Sequence, residues 1–217
     1  VTRAKESGGR RIRGLDAEQR RELRRRQLLE SALELCATHG YQNVSIEQLC
    51  QHAYVGTKGF YEIFASREEC YIALVRWISE QIMAEMTEHL AAAPEDPAEA
   101  ERTLVAAFAH ALVDDPRRAL VTFGQASGVS PAVERLRRAN RRWAAAFVRD
   151  VWRRSGAVRD DADETVDRIA IGLVGGLFDL VADWLLADDP AVDALVDDLG
   201  AFYAVVRAGV AARIGPE

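Results

Sequence analysis

Residues 28–74 read LLESALELCATHGYQNVSIEQLCQHAYVGTKGFYEIFASREECYIAL, and this stretch decides the fold. Leu28, Leu29, Ala32, Leu33, Leu35 and Cys36 recur at three- and four-residue spacings, the period of one helix face, and His39-Gly40 supplies the stop. Ser45-Ile46-Glu47-Gln48 sets a hydroxyl three residues ahead of an amide, a helix-start signature, after which Ile46, Leu49 and Cys50 share a stripe. Residues 53–56 read as a turn. A second short helix follows to about Phe64, with Phe60, Tyr61 and Phe64 on or near one face. Ser66-Arg67-Glu68-Glu69 reads as a capping box opening a long helix to about Leu90. Two short helices about a four-residue turn describe a helix-turn-helix over 45–64, whose second helix fits a major groove about 12 Å wide. Spacing alone is matched equally by an ordinary helix pair in an α-bundle.

Outward from this stretch the chain continues as helices. Runs of alternating β-branched residues and Asn-Gly or Asp-Gly hairpin turns are missing, so the fold class is all-α. Further helices are expected over 97–113, 116–124, 131–155, 162–187 and 190–213, with Pro116, Pro131 and Pro190 near their starts. With 217 residues, 49% of them apolar, the chain buries a core without disulfides or metals. Cys36, Cys50 and Cys70 are odd in number and widely spaced, which excludes a disulfide framework and a CxxC site and suits a reducing compartment. The arginine-rich first 30 residues do not read as a secretory leader, and the uncharged run 169–178 is about half a membrane span, so a cytoplasmic protein is expected.

The net charge of −6 hides a segregation. Residues 1–30 carry 10 Lys/Arg against 5 Asp/Glu and residues 131–158 carry 8 against 2, whereas residues 159–217 carry 4 against 13. A basic end on an acidic chain still steers a polyanion locally, although such tails are often merely solvated.

The same 28–74 stretch closely resembles the N-terminal domain of the TetR family of bacterial transcriptional regulators. The resemblance lies in the helix ending at His39-Gly40-Tyr41, Ser45 opening the second helix, Val55 after the turn, the Phe60-Tyr61-x-x-Phe64 run, and Ser66 to Glu69. It implies a three-helix helix-turn-helix domain over 21–75, after a basic arm over 1–20 and before a larger helical effector-binding and dimerisation domain over 76–217. The DNA contacts it implies are Ser45 at a helix start, Gly56, Thr57, Lys58 and Gly59 on the recognition helix, Tyr61 packing partly inward with its hydroxyl on a phosphate, and Arg67 on another phosphate. Arg10, Arg11 and Arg13 are candidates to reach an adjacent minor groove. Arg24 to Arg26, beside Glu22 and Glu30, read instead as surface pairs. The sequence departs from the family pattern at Tyr54, where a turn glycine is usual, and at Gly56, Gly59 and Ile63.

In the larger domain Phe108, His110, Phe123, Trp143, Phe147, Trp152 and Trp184 are candidates to line an apolar pocket or to fill the core. The basic run 135–154 either attracts an anionic effector or faces solvent and the acidic last helices, and the second is the expectation, because charge runs are usually surface. Leu173, Gly176, Leu177 and Leu180 form one stripe, with Gly172 and Gly175 beside it, and Leu195, Leu199, Phe202 and Val206 form another. Together they are the expected homodimer seam, which the family resemblance also implies. Gly175-Gly176 also reads as a kink inside one subunit. The reading is a homodimeric repressor that leaves a palindromic operator when a small-molecule effector binds, with no cofactor, metal or membrane partner. A ligand-independent DNA-binding dimer or an activator is the alternative. An all-α enzyme has no motif to support it: GxSxG, HExxH, paired ExxH and a P-loop are all missing.

Overall fold

The computed structural model describes residues 16–124, 130–159, 164–188 and 191–215, and every regular element among them is helical. The first four helices are α1 (Ala17–His39), α2 (Ile46–His52), α3 (Thr57–Tyr61) and α4 (Arg67–Ala91), with a 3-10 turn at Tyr41–Asn43. Then come α5 (Pro97–Val113), α6 (Pro116–Ala119), α7 (Pro131–Arg154), α8 (Glu164–Trp184) and α9 (Val192–Ile214). No helix among the described residues is long and apolar enough to cross a membrane.

The boundaries follow from local chemistry. Asp16 and Gln19 close a capping box at α1, and Ser45 and Gln48 close another at α2. Three later helices repeat one device, an N-cap oxygen followed by proline at the first helical position. Asp96, Asp115 and Ser130 accept from the amides of Glu99, Arg117 and Val133, where the proline's missing N–H costs nothing. At α4 the expected box is only half formed. Ser66 Oγ accepts from the Glu69 amide at 3.1 Å, but the Glu69 carboxylate takes the Ala65 amide at 2.6 Å, one residue earlier than the pattern requires.

One expected helix changes character. Instead of continuing to 124 as α-helix, the chain leaves α6 as a π turn over Leu120–Gly124. In this turn the Val121 carbonyl accepts from the Tyr71 hydroxyl at 3.0 Å.

The core has two main bodies. One is formed by α1 to α4, from Leu28 and Leu29 through Leu49, Phe60 and Phe64 to Leu74 and Ile78, joined by Val121 and Val133. The other gathers α5, α7, α8 and α9 around Trp152, Leu173, Val181, Leu195 and Leu199. Buried Glu101 on α5 pairs with Arg207 on α9 at 3.2 Å, which ties this second body across. Leu173, Leu177, Leu195 and Leu199, expected at a seam between subunits, are 2%, 6%, 1% and 0% exposed within the single chain. They pack α8 and α9 onto their own subunit, so they do not form the seam. Gly176 and Phe202 face each other in the same way: a Cβ at 176 would stand 2.6 Å from the Phe202 ring.

Two predictions come from this packing. Gly176→Ala forces the Phe202 ring to move within the subunit and should lower stability by about 1–3 kcal/mol, read by thermal or urea unfolding. Tyr54 has φ +53° in the turn between α2 and α3, with its ring 95% exposed, so no packing offsets the left-handed backbone. Tyr54→Gly should therefore raise the unfolding free energy by about 1 kcal/mol in the same assay.

Candidate nucleic-acid interface and ligand chamber

The short helix α3 is held by two rings. Phe60 is fully buried and Phe64 nearly so, their centroids 5.7 Å apart, and Val55 closes the turn beneath them. Burying a phenylalanine contributes about 1.5–3 kcal/mol, enough to fix a helix with too few residues to stand alone. With these rings inward, the roughly 100° step per residue sets Lys58 opposite Phe60 and Tyr61 to its flank, and both are exposed, as are Gly56 and Thr57 at the start of the helix. Tyr61 is 56% exposed and touches the core only edge-on to Phe60 at 5.5 Å, which corrects the expectation of a partly inward ring. Gly56 caps α3 with no side-chain hydrogen bond and open space around it. Gly59 has a packing reason: a Cβ there would press Val55 Cγ1 at 3.1 Å and touch the Arg24 stem at 3.8 Å.

Arg24 crosses to Glu62 at 3.4 Å and so offsets a negative charge beside the outward face of α3. Arg26 pairs with Glu30 at 2.9 Å and Arg25 with Glu22 at 3.9 Å, the surface pairs that their spacing anticipates. Ser45 Oγ accepts from the Gln48 amide at 3.2 Å at the start of α2. Arg10, Arg11 and Arg13 lie outside the described residues.

Arg67 is placed differently from the reading its position invites. Its guanidinium donates to the Val44 carbonyl at 2.6 Å and to the Gln42 carbonyl at 3.4 Å, and it lies 4.4 Å over the Tyr41 ring. It braces the chain entering the helix-turn-helix rather than reaching away from it. Nothing in the local sequence signals this, because the partners are more than twenty residues upstream. The cysteines of this body are buried and free. Burial pushes the Cys36 thiol up to about 11 and the Cys70 thiol up to about 12, so both stay protonated and packed as small apolar groups.

A cavity of about 120 Å³ opens among α4, α5, α7, α8 and the π turn. Phe108, Phe123, Trp143 and Phe147 line it as expected, joined by Phe178, which lies 4.7 Å from Phe123 and 6.0 Å from Phe108. His110 does not line it: it is exposed and pairs with Asp114 at 2.8 Å. Trp184 is also elsewhere, its indole N–H closing on the Ala191 carbonyl at 3.0 Å. Trp152 is fully buried core and donates to the Tyr203 hydroxyl at 3.0 Å. The sequence reading missed Ile82, Met83 and Met86, whose helical spacing on α4 was the available signal, and Thr122, which had none; Arg141 stood out only as one member of the basic run 135–154. The arginine run divides by helical period. Arg138 pairs with Glu134 at 3.0 Å and Arg149 with Asp167 of α8 at 2.6 Å, whereas Arg141 turns to the cavity.

Residues 28–74 match the family model described as bacterial regulatory proteins of the tetR family. No curated protein matches the chain in sequence. Among solved structures, the fatty acid degradation regulator FadR of Bacillus halodurans superposes with a TM-score of 0.70 at 18% identity, over 82% of this chain and 93% of that one. FadR of Bacillus subtilis, solved in complex with stearoyl-CoA, gives 0.66 at 18% identity, over 87% and 98%. A TetR-like transcriptional regulator from Rhodococcus sp. RHA1 gives 0.65 at 19% identity, over 86% and 96%. The segment that carries the helix-turn-helix is thus a TetR-family domain, on a chain that has the fold of TetR-type transcriptional regulators.

Proposed function

We propose that the protein is a homodimeric transcriptional repressor that binds a palindromic operator and leaves it when a small molecule fills the chamber. The observation that carries this reading is α3 itself. It is pinned from below by Phe60 and Phe64 and presents Thr57, Lys58 and Tyr61 to solvent. Thr57 also acts on the Cys50 thiol and Tyr61 leans edge-on to Phe60, while Lys58 forms no ion pair among the described residues. Lys58 and Thr57 occupy the first turn, from which side chains reach base edges in a major groove. Ser45, Gly56, Gly59 and Tyr61 surround them as backbone and phosphate contacts, and the arm with Arg10, Arg11 and Arg13 adds charge. A dimer sets two such helices about 34–36 Å apart on successive grooves.

The dimer surface of this reading is the outward side of α8 and α9. Gly172 and Gly175 leave open space there, Ile171 and Val205 are 37% and 73% exposed, and half-buried Leu180 lies alongside. Small residues on two adjacent helices let a second pair approach closely. The effector reading is supported by the chamber's apolar walls and by the Bacillus subtilis FadR fold, whose structure holds stearoyl-CoA. Release requires that the effector bind the DNA-free arrangement more tightly than the DNA-bound one.

Selection of binding fragments from random or genomic DNA tests the reading, and a palindromic consensus is the expected result. On that consensus, Lys58→Ala should cost about 1–3 kcal/mol and relax preference at one position of each half-site. Arg67→Ala should behave otherwise. It strips a charged donor from two backbone carbonyls, so stability should fall by about 1.5–3 kcal/mol, with no change in the salt slope of the DNA binding that remains. A salt slope lowered by about one phosphate per subunit at unchanged stability would return Arg67 to direct DNA contact.

A further inference from the structure

We propose that the chamber takes an apolar molecule ending in a carboxylate, and that Arg141 and Thr122 form the seat for that end. The inference deepens the effector reading and rests on it for the ligand's regulatory role, but not for its binding. It starts from an accounting of polar atoms in the chamber wall. Most are satisfied within the protein. Asn140 Nδ2 donates to Ser79 Oγ at 2.7 Å, Glu101 is paired with Arg207, and the Tyr203 hydroxyl accepts from Trp152. Two are not. Thr122 Oγ1 and Arg141 Nε are inaccessible to solvent and have no hydrogen-bond partner. The Nε atoms of Arg24, Arg149 and Arg153 are likewise unpartnered, but Thr122 and Arg141 alone among these residues line the chamber, where a bound molecule supplies the missing partner.

The chemistry of the orphans selects that partner. An arginine Nε–H donates and never accepts, so it calls for an acceptor, and a threonine hydroxyl accommodates the same acceptor. The guanidinium also keeps its charge at every physiological pH. Among the described residues no carboxylate forms an ion pair with Arg141, whose guanidinium lies 6.0 Å from the Phe178 ring and acts on the Glu134 charge from beyond ion-pair distance. Glu134, two turns earlier on α7, is exposed and engaged by Arg138 at 3.0 Å. A cation at an apolar cavity is stabilised by an anion far more than by a neutral acceptor. One guanidinium and one hydroxyl match a planar monoanion with two oxygens, and Arg137 adds a second cation to the same lining. Beyond this end the wall is aromatic and aliphatic, with Met83 and Met86 able to adapt to the shape of the apolar body.

Calorimetric titration of the full chain with octanoate, 4-phenylbutyrate and palmitate, each set against its alcohol, tests the seat directly. At least one acid should bind about tenfold or more tighter than its alcohol. Arg141→Gln should bring that acid down to the level of the alcohol and leave the alcohol unchanged, while Thr122→Val weakens the acid alone. Circular dichroism checks the fold, and Arg141→Lys, which keeps the charge, serves if the glutamine variant unfolds and should retain preference for the acid. Equal binding of acid and alcohol, an Arg141→Gln variant that still prefers the acid, or no saturable binding of any of the three acids would each overturn the proposal. DNA release is scored separately on the selected fragments. Arg141-dependent binding of an acid without DNA release leaves the seat standing and sinks the effector role. DNA release by an uncharged ligand, indifferent to Arg141→Gln, supports the effector role and overturns the seat.

Discussion

The architecture depends on one buried phenol. Tyr71 sits on α4 with 2% of its surface exposed, and burial pushes its hydroxyl well above the usual phenol range. A hydroxyl placed so deep must find an acceptor, and it finds the Val121 carbonyl in the π turn at 3.0 Å. Its ring lies 4.7 Å from that of Tyr41, over which the Arg67 guanidinium rests while holding the Val44 carbonyl. These contacts form a continuous set from the chamber wall to the residue before Ser45, where the helix-turn-helix begins. A polar network of this kind is costly when half satisfied, so its members are held together in one arrangement.

How much of this was legible in the sequence depends on the range of each interaction. The caps at Asp96, Ser45 and Ser130 and the stop at Gly40 are written within four residues of where they act, and the helix boundaries they set lie close to the expected ones. Phe60 and Phe64 were legible for the same reason, through helical period, although the period also sends Tyr61 outward, which a loose grouping of three aromatics concealed. The stripes at Leu173 and Leu195 show the limit of periodicity. It tells that a face is buried and not what buries it, and here the covering is the subunit itself. Arg67 and Arg141 were visible as cations but their surroundings were not, since their partners or their lack of partners emerge only when distant segments meet.

The motif departs from local rules on the surface that faces outward from the fold. Tyr54 holds a left-handed backbone that glycine would adopt freely, and its ring lies almost wholly in solvent. Gly56 forgoes a side-chain cap that the open space around it would admit. Departures of this kind persist where something other than stability sets the residue, and these two lie together in the turn that leads into α3. Gly59 is different in kind: Val55 and the Arg24 stem occupy the space that a side chain would need.

The route from chamber to motif follows from which elements belong to both. Ile82, Met83 and Met86 of α4 line the cavity, and Tyr71, Leu74 and Ile78 of the same helix lie in the core beneath α2 and α3. At 25 residues α4 is about 37 Å long, a single rigid rod running from one body to the other. The π turn contributes Thr122 and Phe123 to the cavity and Val121 to the motif's core, and α7 contributes Trp143 and Phe147 to the one and Val133 to the other. Close-packed cores transmit displacement instead of absorbing it. On the proposed reading, an occupant seated between Thr122 and Arg141 would pull on the π turn and α7 at once, and through Val121 and Tyr71 on the rod that carries the helix-turn-helix.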